Sequence, residues 1–349
     1  MSMLAETVDV VIGVDTHKHT HSAAVVAAAT GAAVEDLTVP SDAGGYGRLV
    51  ELAERHRGLR VWAIEGTGSY GAGLARYLAD AGEVVVEVDR PQRPARRNGA
   101  KSDTLDAVRA AREALTREHL ATPRAGGERQ ALSVLVAARR SAVEGYTTAQ
   151  RQIQALVTAA PEPLRTRFRT QRTAEMVTTA ARLRSHPSHD RETASTIAAL
   201  KALARRCQTL QAEAADHEAA IRVVVDSWRP DLLQQMGIGP IVAAAILCAW
   251  SHPGRCRNEA AFANLAGVAP LPASSGLTVR HRLNRRGDRQ LNRALHTIVL
   301  CRLRHDPATR AYAQQRQAQG KTPPEIRRCL KRYIARQLYR QLEQPLDPP

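Results

Sequence analysis

The first predicted strand reads Val8-Asp9-Val10-Val11-Ile12-Gly13-Val14-Asp15, a dense run of β-branched apolar residues that ends in an acid. Such a run is typical of a strand buried on both faces. Asp15 stands where the strand leaves the core, and a carboxylate there is costly to bury unless a cation meets it. A turn-forming aspartate is the alternative for this residue taken alone. Three further acids later in the chain favour the interpretation in which Asp15 binds a cation.

The segments after this strand predict one α/β domain over residues 1–125. The predicted elements are strands at 22–29 and 33–39, a helix at 45–55, a strand at 59–65, a helix ending at 81, a strand at 83–88 and a helix from 102 to about 115. The first three strands are expected to form an antiparallel meander. The order βββαβαβα is that of the ribonuclease-H-like fold, in which the first and fourth strands are neighbours. Asp15 and Glu65 are therefore predicted to face one cleft.

Asp103 and Asp106 begin the predicted helix three residues apart, so both project from one face. Taken alone, Asp103 is also a natural helix cap, and an acid in the first turn favours any helix. Like charges at this spacing repel unless a cation lies between them. With Asp15 and Glu65 they form a D-E-D-D set of hard oxygen ligands. Such a set suits Mg²⁺ or Mn²⁺ and phosphodiester chemistry.

Three histidines alternate just after the first strand, at His17, His19 and His21. Imidazoles at this spacing are able to bind a transition metal. A polar turn at the surface explains them without any ligand, and this is the interpretation that the sequence favours.

The chain carries a large excess of positive charge. Its 349 residues include 50 Lys and Arg against 34 Asp and Glu, which gives +16. Arg far outnumbers Lys, and its planar fork suits phosphates, so nucleic acid is the expected partner ahead of an anionic membrane surface. The longest apolar stretch, 241–250, is too short to span a bilayer. The five scattered cysteines and the absence of a signal-like start predict a cytoplasmic, nucleoid-associated protein without zinc.

A basic, irregular segment over residues 90–101 lies next to the predicted acidic cleft. A solvated loop is the simple interpretation, but its cations also suit the guidance of a polyanionic backbone. The candidate nucleic-acid-binding residues here are Arg93, Arg96, Arg97 and Lys101.

Residues 126–227 have the apolar spacing of long helices, with breaks expected at Pro161 and Pro163 and around residues 185–189. Two such helices can pack within one chain as a hairpin, or against those of a partner subunit. The third region, 228–349, is also predicted to be helical, so the whole chain is classed as α/β plus all-α.

Residues 236–247 resemble the turn of a helix-hairpin-helix module. In such a module Gly237 and Gly239 let backbone amides approach a DNA phosphate, although the same turn also serves ordinary packing. A Ser274-Ser275-Gly276 tip follows, and by itself it predicts a loop. A serine in so positive a field can also bind or attack a phosphodiester. The arginines proposed to bind nucleic acid here are Arg280, Arg282, Arg285, Arg286 and Arg289.

Three acidic blocks of the chain resemble those of the DEDD transposases of bacterial insertion sequences, relatives of the Piv-type DNA invertases. They read Gly13-Val14-Asp15-Thr16-His17-Lys18, Glu65-Gly66-Thr67-Gly68-Ser69-Tyr70-Gly71 and Lys101-Ser102-Asp103-Thr104-Leu105-Asp106-Ala107. The resemblance covers nearly the whole chain. It implies a RuvC-like N-terminal domain and a coiled-coil spacer that supports a homo-oligomer. The sequence departs at His17, where many relatives carry a small residue.

The Pro-Ala-Ser-Ser-Gly segment at 272–276 resembles the C-terminal signature region of the same family, which contains a nucleophilic serine. Its place before Gly276 assigns that role to Ser275, and the doubled serine leaves Ser274 as the alternative. The resemblance implies DNA cleavage and rejoining through a covalent serine intermediate, at sites built from different protomers. Some members use a structured noncoding RNA as a guide to target and donor DNA.

Two other classes of function fit the same residues. A metal-dependent nuclease or junction resolvase needs the four acids and the basic surface, but uses water in place of the serine. A non-catalytic nucleic-acid-binding protein keeps the hairpin and the arginines, with the acids serving only as caps and turns.

Overall fold

The computed structural model describes residues 3–88, 103–124, 126–272, 281–282, 284 and 287–345, with the backbone alone at 272, 281 and 282. The chain divides into two compact units between Gly126 and Gly127. None of the helices in these ranges combines the length and the apolar character needed to cross a membrane.

Within the described residues, the first unit contains a five-stranded mixed sheet with the order β3-β2-β1-β4-β5. β1 pairs antiparallel with β2, which pairs antiparallel with β3, while β4 and β5 run parallel to β1. The predicted meander and the predicted adjacency of the first and fourth strands are thereby confirmed. The strands are β1 (Val10–Thr16), β2 (Thr20–Ala27), β3 (Ala33–Pro40), β4 (Arg60–Glu65) and β5 (Val85–Val88).

Helices cover both faces of this sheet. They are α1 (Ala43–Glu54), α2 (Ala72–Asp80) and α3 (Asp103–Thr116), and a short 3-10 turn at Leu4–Glu6 precedes the sheet. Successive side chains of a strand point to opposite faces. Ile12 therefore packs on the side of α1 and α2, while Val11 packs on the side of α3. Asp15 shares the odd-numbered face of β1 with Val11, which directs it toward α3.

Long helices begin the second unit. α4 (Gly127–Ala159) and α7 (Arg191–Trp228) pack against each other, with α5 (Glu162–Arg165), a 3-10 turn at Thr166–Phe168 and α6 (Thr173–Ala181) between them. The N-terminal part of α4 buries Leu132 beside Ile221, and its C-terminal part buries Ile153 beside Leu200, so the pair is antiparallel. The predicted helix breaks are confirmed, and within the chain the pair forms a hairpin.

The rest of the unit packs around α8, whose apolar residues are buried almost all round. Ala243, Ala244 and Leu247 of α8 pack with Ile298 of α10 and Leu338 of α12. The remaining elements are a 3-10 turn at Pro230–Gln234, α8 (Pro240–Trp250), α9 (Glu259–Leu265), β6 (Leu271–Pro272), β7 (His281–Arg282), α10 (Arg289–His305), α11 (Pro307–Ala318) and α12 (Pro323–Leu342).

Arg229, at the end of α7, ties the C-terminal helix to this core. Its side chain is buried and pairs with Asp231, with Nη2 2.7 Å from Oδ2. The guanidinium also donates to the backbone oxygens of Leu342 and Gln341 and lies 5.9 Å from the centre of the Trp250 ring. A buried cation with several acceptors leaves unpaired groups behind when it is removed.

We expect Arg229→Met to lower the free energy of unfolding of the second unit by about 3 to 5 kcal/mol, the usual cost of breaking a buried ion pair. Urea denaturation followed by circular dichroism measures this. Arg222→Met is the matched control because Arg222 lies exposed on the same helix. A loss below about 1 kcal/mol, as at exposed pairs, would contradict the structural role of Arg229.

Candidate active site

The ends of two parallel neighbouring strands bring the first two acids to one edge of the sheet. Val14 of β1 is paired with Ile64 of β4, so Asp15 and Glu65 stand at matching positions one residue further on. The hydroxyl of Thr16 donates to the backbone oxygen of Glu65 over 3.0 Å and fixes the two strand ends together. Both acids occupy the sheet face that packs against α3.

Gly13 lets α3 approach this face unusually closely. A Cβ atom at Gly13 would lie 2.0 Å from the backbone oxygen of Ala107 and 2.6 Å from the backbone nitrogen of Ala111. A glycine inside a strand commonly marks such a close backbone approach. The contact brings the first turn of α3, with Asp103 and Asp106, to the end of β1.

Asp15, His17 and Asp103 form a compact group at this edge. The Nε2 atom of His17 lies 3.2 Å from Oδ2 of Asp15 and 3.4 Å from Oδ1 of Asp103. One potential ligand atom from each residue lies within 4.8 Å of the others. The Asp15 side chain is 13% exposed, whereas that of Asp103 is 46% exposed, so the group opens to solvent on the α3 side.

The carboxyl group of Asp15 sits in an unfavourable electrostatic environment. Burial is the largest influence and raises its pKa above the ordinary value, and the nearby carboxylates of Asp106 and Asp103 raise it further. The opposing influence is His17, which lowers the pKa without reversing the rise. The ionised form of Asp15 is therefore held here at a cost in electrostatic free energy, which a bound cation would relieve.

The other two predicted acids border this group. Among the described residues, neither Glu65 nor Asp106 belongs to the set whose ligand atoms lie within 4.8 Å of one another. Asp106 is paired with Arg109 one turn along α3, with Oδ1 2.5 Å from Nη1. Glu65 remains at the end of β4 beside Asp15.

The three histidines have three different environments, and the interpretation of them as a polar surface turn is wrong for His21, which is buried. His17 joins the acids, and only His19 is exposed as expected. β2 begins at Thr20, so His21 is already part of the sheet and is buried, stacked on Tyr46 with 5.7 Å between ring centres. Burial lowers the pKa of His21.

Sequence reasoning missed His17 as a member of the site, although a signal was present. Residues two apart on a strand point to the same face, and His17 stands two residues after Asp15 at the exit of β1. The alternation with His19 and His21 obscured this relation.

Many of the residues predicted to contact nucleic acid lie outside the described ranges. These are Arg93, Arg96, Arg97, Lys101, Arg280, Arg285 and Arg286, together with the two candidate nucleophiles, Ser274 and Ser275. Arg282 belongs to β7, whose backbone pairs antiparallel with β6. Arg289 is the exposed first residue of α10.

The two glycines of the predicted hairpin have different surroundings. Gly237 has a φ of +88°, and a Cβ atom there would lie 3.1 Å from Cβ of Cys301 and 3.2 Å from Cα of Ile298, so its place is set by packing against α10. Gly239 precedes the first turn of α8, and no described atom lies within 4 Å of its would-be Cβ. Of the two, Gly239 has the open backbone that a phosphate contact requires.

A concentration of arginines marks α12. Arg332, Arg336 and Arg340 all lie within 4 Å of the carboxylate of Glu259, with N···O distances of 3.7, 2.9 and 3.5 Å. One carboxylate balances only one of the three cations. This face of the second unit therefore keeps a net positive charge.

Two segments of the chain match models of known protein families. Residues 12–160 match a family model for the DEDD transposases of the IS110 type, and residues 230–314 match a model described as the transposase IS116/IS110/IS902 family. The first of these segments contains all four acids, and the second contains both candidate serines.

Two curated relatives are proteins of insertion elements. An uncharacterized 43.6 kDa protein of insertion element IS110 from Streptomyces coelicolor is 32% identical over 108 residues, covering 30% of this chain and 27% of the relative. An uncharacterized 42 kDa protein of insertion element IS900 from Mycobacterium paratuberculosis is 32% identical over 128 residues, covering 34% of this chain and 31% of the relative. The aligned part spans less than a third of either relative. Since two separate segments match models of one transposase group, the chain belongs to the IS110/IS116/IS902 family of transposases.

Proposed function

We propose that the chain is a divalent-metal-dependent DNA transposase whose first unit has the ribonuclease-H-like, RuvC-like fold. The strand order β3-β2-β1-β4-β5 with antiparallel first strands supports that fold. The observation that carries the proposal is the convergence at one sheet edge of Asp15 and Glu65 with the first turn of α3, which bears Asp103 and Asp106.

The residues at this edge fit a divalent cation. The Nε2 of His17 faces oxygens of Asp15 and Asp103 at 3.2 and 3.4 Å, and the carboxyl group of Asp15 is held at an electrostatic cost. The acids proposed to hold the ion are Asp15, Glu65, Asp103 and Asp106, and their oxygens suit Mg²⁺ or Mn²⁺. When bound, such an ion supplies charge that polarises a phosphodiester and stabilises its leaving oxygen.

Ser275 is the proposed nucleophile, with Ser274 as the alternative. Its Oγ attacks the phosphorus, so an Oγ–P bond forms while the bond from phosphorus to the leaving oxygen breaks. The serine proton is released to solvent, and the leaving oxygen takes up a proton. The covalent serine–DNA ester keeps the energy of the phosphodiester for rejoining to another DNA end.

Nucleic acid is proposed to bind along the second unit. The net positive face of α12, with Arg332, Arg336 and Arg340 around one carboxylate, supports this. The proposed DNA contacts also include Gly237 and Gly239, in a helix-hairpin-helix turn, and the arginines around the serine segment. A guide noncoding RNA is a second proposed partner of the same basic surface.

We further propose three functional regions: a catalytic domain at 1–125, a coiled-coil spacer at 126–227 and a C-terminal domain at 228–349. The length of α4 and α7, at 33 and 38 residues, suits a spacer. The acids and the serine are far apart in the chain, so the proposed mechanism requires that either the fold of one chain or a second subunit bring them together. The proposed active form is a homo-oligomer, working at the nucleoid.

The function is tested by incubating the purified protein with Mn²⁺ or Mg²⁺, end-labelled DNA flanking its own gene, and RNA transcribed from that flank. Denaturing electrophoresis then separates free DNA, cut DNA and DNA joined to protein. We expect a protein-linked band that disappears in Ser275→Ala and in Asp15→Asn.

The variants separate the rival functions. A protein-linked band that is lost in Ser274→Ala but kept in Ser275→Ala would show that Ser274 is the nucleophile. Cut DNA without an adduct would contradict the serine step and favour a hydrolytic nuclease. Binding without cutting, unchanged by replacing all four acids with their amides, would contradict catalysis altogether.

A further inference from the structure

His17 presents a ring nitrogen to the acidic edge of the sheet. Its side chain is 42% exposed as a whole, yet the Nε2 atom itself is buried. That atom lies 3.2 Å from an oxygen of Asp15 and 3.4 Å from an oxygen of Asp103, so it faces both carboxylates at once. An imidazole nitrogen that faces two carboxylates serves either as a proton donor to their oxygens or, when unprotonated, as a metal ligand.

The distances match those between neighbouring ligands of one metal ion. In octahedral coordination at about 2.0 to 2.2 Å, adjacent ligand atoms lie about 3 Å apart. The Nε2 of His17 stands at nearly this separation from both carboxylate oxygens, and one potential ligand atom from each of the three residues lies within 4.8 Å of the others. An ion placed among them would bind the imidazole nitrogen through its lone pair and one oxygen of each carboxylate.

The neighbouring histidines do not share this geometry. His19 is exposed on the turn between β1 and β2. His21 is buried against Tyr46, and its Nε2 lies 3.3 Å from the hydroxyl of Ser41. A metal-binding role for the histidines therefore concerns His17 alone among the three.

We propose that His17 is a nitrogen ligand of the divalent ion, which makes the site a mixed nitrogen and oxygen site selective for Mn²⁺ over Mg²⁺. The inference rests on the proposed function, since it concerns the same metal. Mg²⁺ prefers oxygen ligands and water, whereas an imidazole nitrogen adds affinity for first-row transition ions. A site with acids alone would lack this preference.

The test is Mn²⁺ binding to the full-length protein without DNA. Titration with manganese chloride, followed by the electron paramagnetic resonance of free Mn²⁺, gives the affinity. Electron spin echo modulation of bound Mn²⁺ detects a directly bonded ¹⁴N. We expect a ¹⁴N coupling in the unmodified protein, and its loss in His17→Ala with at least about a tenfold drop in Mn²⁺ affinity, the scale seen when even indirect metal contacts are removed. Mg²⁺ affinity, measured by competition, should change less.

Two further variants sharpen the result. His19→Ala is the matched control and should keep both the affinity and the ¹⁴N coupling. His17→Asp restores an oxygen ligand, so it should bind Mn²⁺ without the ¹⁴N coupling and bind Mg²⁺ at least as well as the unmodified protein. Circular dichroism of each variant verifies the fold.

Failure of this inference is distinguishable from failure of the proposed function. Bound Mn²⁺ without ¹⁴N coupling, or with equal affinity in His17→Ala, would overturn the nitrogen ligand while metal-dependent cleavage stood. An unmodified protein that bound no Mn²⁺ would overturn it too, and the DNA cleavage assay would then report separately on the function.

Discussion

Asp15→Asn is expected to reduce DNA cleavage by at least about 1,000-fold, because metal assistance is worth several kcal/mol of transition-state stabilisation and each 1.36 kcal/mol is tenfold in rate. Asp15 is the most enclosed of the acids in the compact group, and it touches His17 directly. The amide keeps the shape of the side chain but loses its charge. The denaturing electrophoresis assay, with single-turnover rates, measures the loss.

The same change is expected to stabilise the metal-free protein. The pKa of Asp15 in the folded state lies above its ordinary value of 3.8, so ionisation of this group opposes folding. That opposition is absent at pH values below 3.8 and is complete once the pH exceeds the raised folded value. In the presence of a chelator, Asp15→Asn should therefore melt at a higher temperature than the unmodified protein at neutral pH, and the difference should shrink as the pH falls.

An exposed acid of the same unit provides the control. Asp36 lies on β3 with its side chain in solvent, so Asp36→Asn should alter neither cleavage nor melting measurably. Full cleavage by Asp15→Asn would remove this edge of the sheet from the catalytic machinery. A lower melting temperature for the chelated variant would mean that the Asp15 charge is stabilised within the fold.

Much of the first unit follows from local patterns. The apolar runs and turns predicted the meander, and the order of elements predicted that β1 and β4 are neighbours, because parallel strands of this order have few ways to pair. Pro161 and Pro163, together with the break expected around residues 185–189, also predicted the region in which α4 ends and α7 begins. The spacing of the apolar residues does not distinguish packing of α4 against α7 from packing against another chain, because either partner would bury the same apolar face of α4.

The composition of the acidic edge was harder to predict. The spacing of Asp103 and Asp106 predicts that both face the same side of α3, but their distance from Asp15 depends on how closely α3 approaches β1. A pattern of three alternating histidines favours a polar surface turn, so the sequence does not single out His17 as a ligand. His17 directly follows the end of β1 at Thr16 and stands two residues after Asp15, so the alternation of the strand favours the same face for both.

Gly13→Ala is expected to lower the free energy of unfolding of the first unit by more than about 3 kcal/mol, the upper end of the usual range for overpacking. The new methyl group would lie 2.0 Å from the oxygen of Ala107 and 2.6 Å from the nitrogen of Ala111. Both are backbone atoms of a helix, so no rotamer change relieves the contact. Chemical denaturation measures the loss, and Gly44→Ala, whose added Cβ meets nothing closer than 3.5 Å, is the control.

The same substitution is expected to weaken Mn²⁺ binding even under conditions where the protein stays folded. Moving α3 away from β1 carries Asp103 away from Asp15 and His17, which opens the group of ligand atoms. A Cβ at position 13 would also lie 2.9 Å from Cβ of Ala111, and Ala111→Gly removes only this contact. The double variant Gly13→Ala with Ala111→Gly should therefore recover little of either stability or Mn²⁺ affinity. Full recovery in the double variant would show that the side chain of Ala111, not the helix backbone, sets the approach of α3 to the acidic edge.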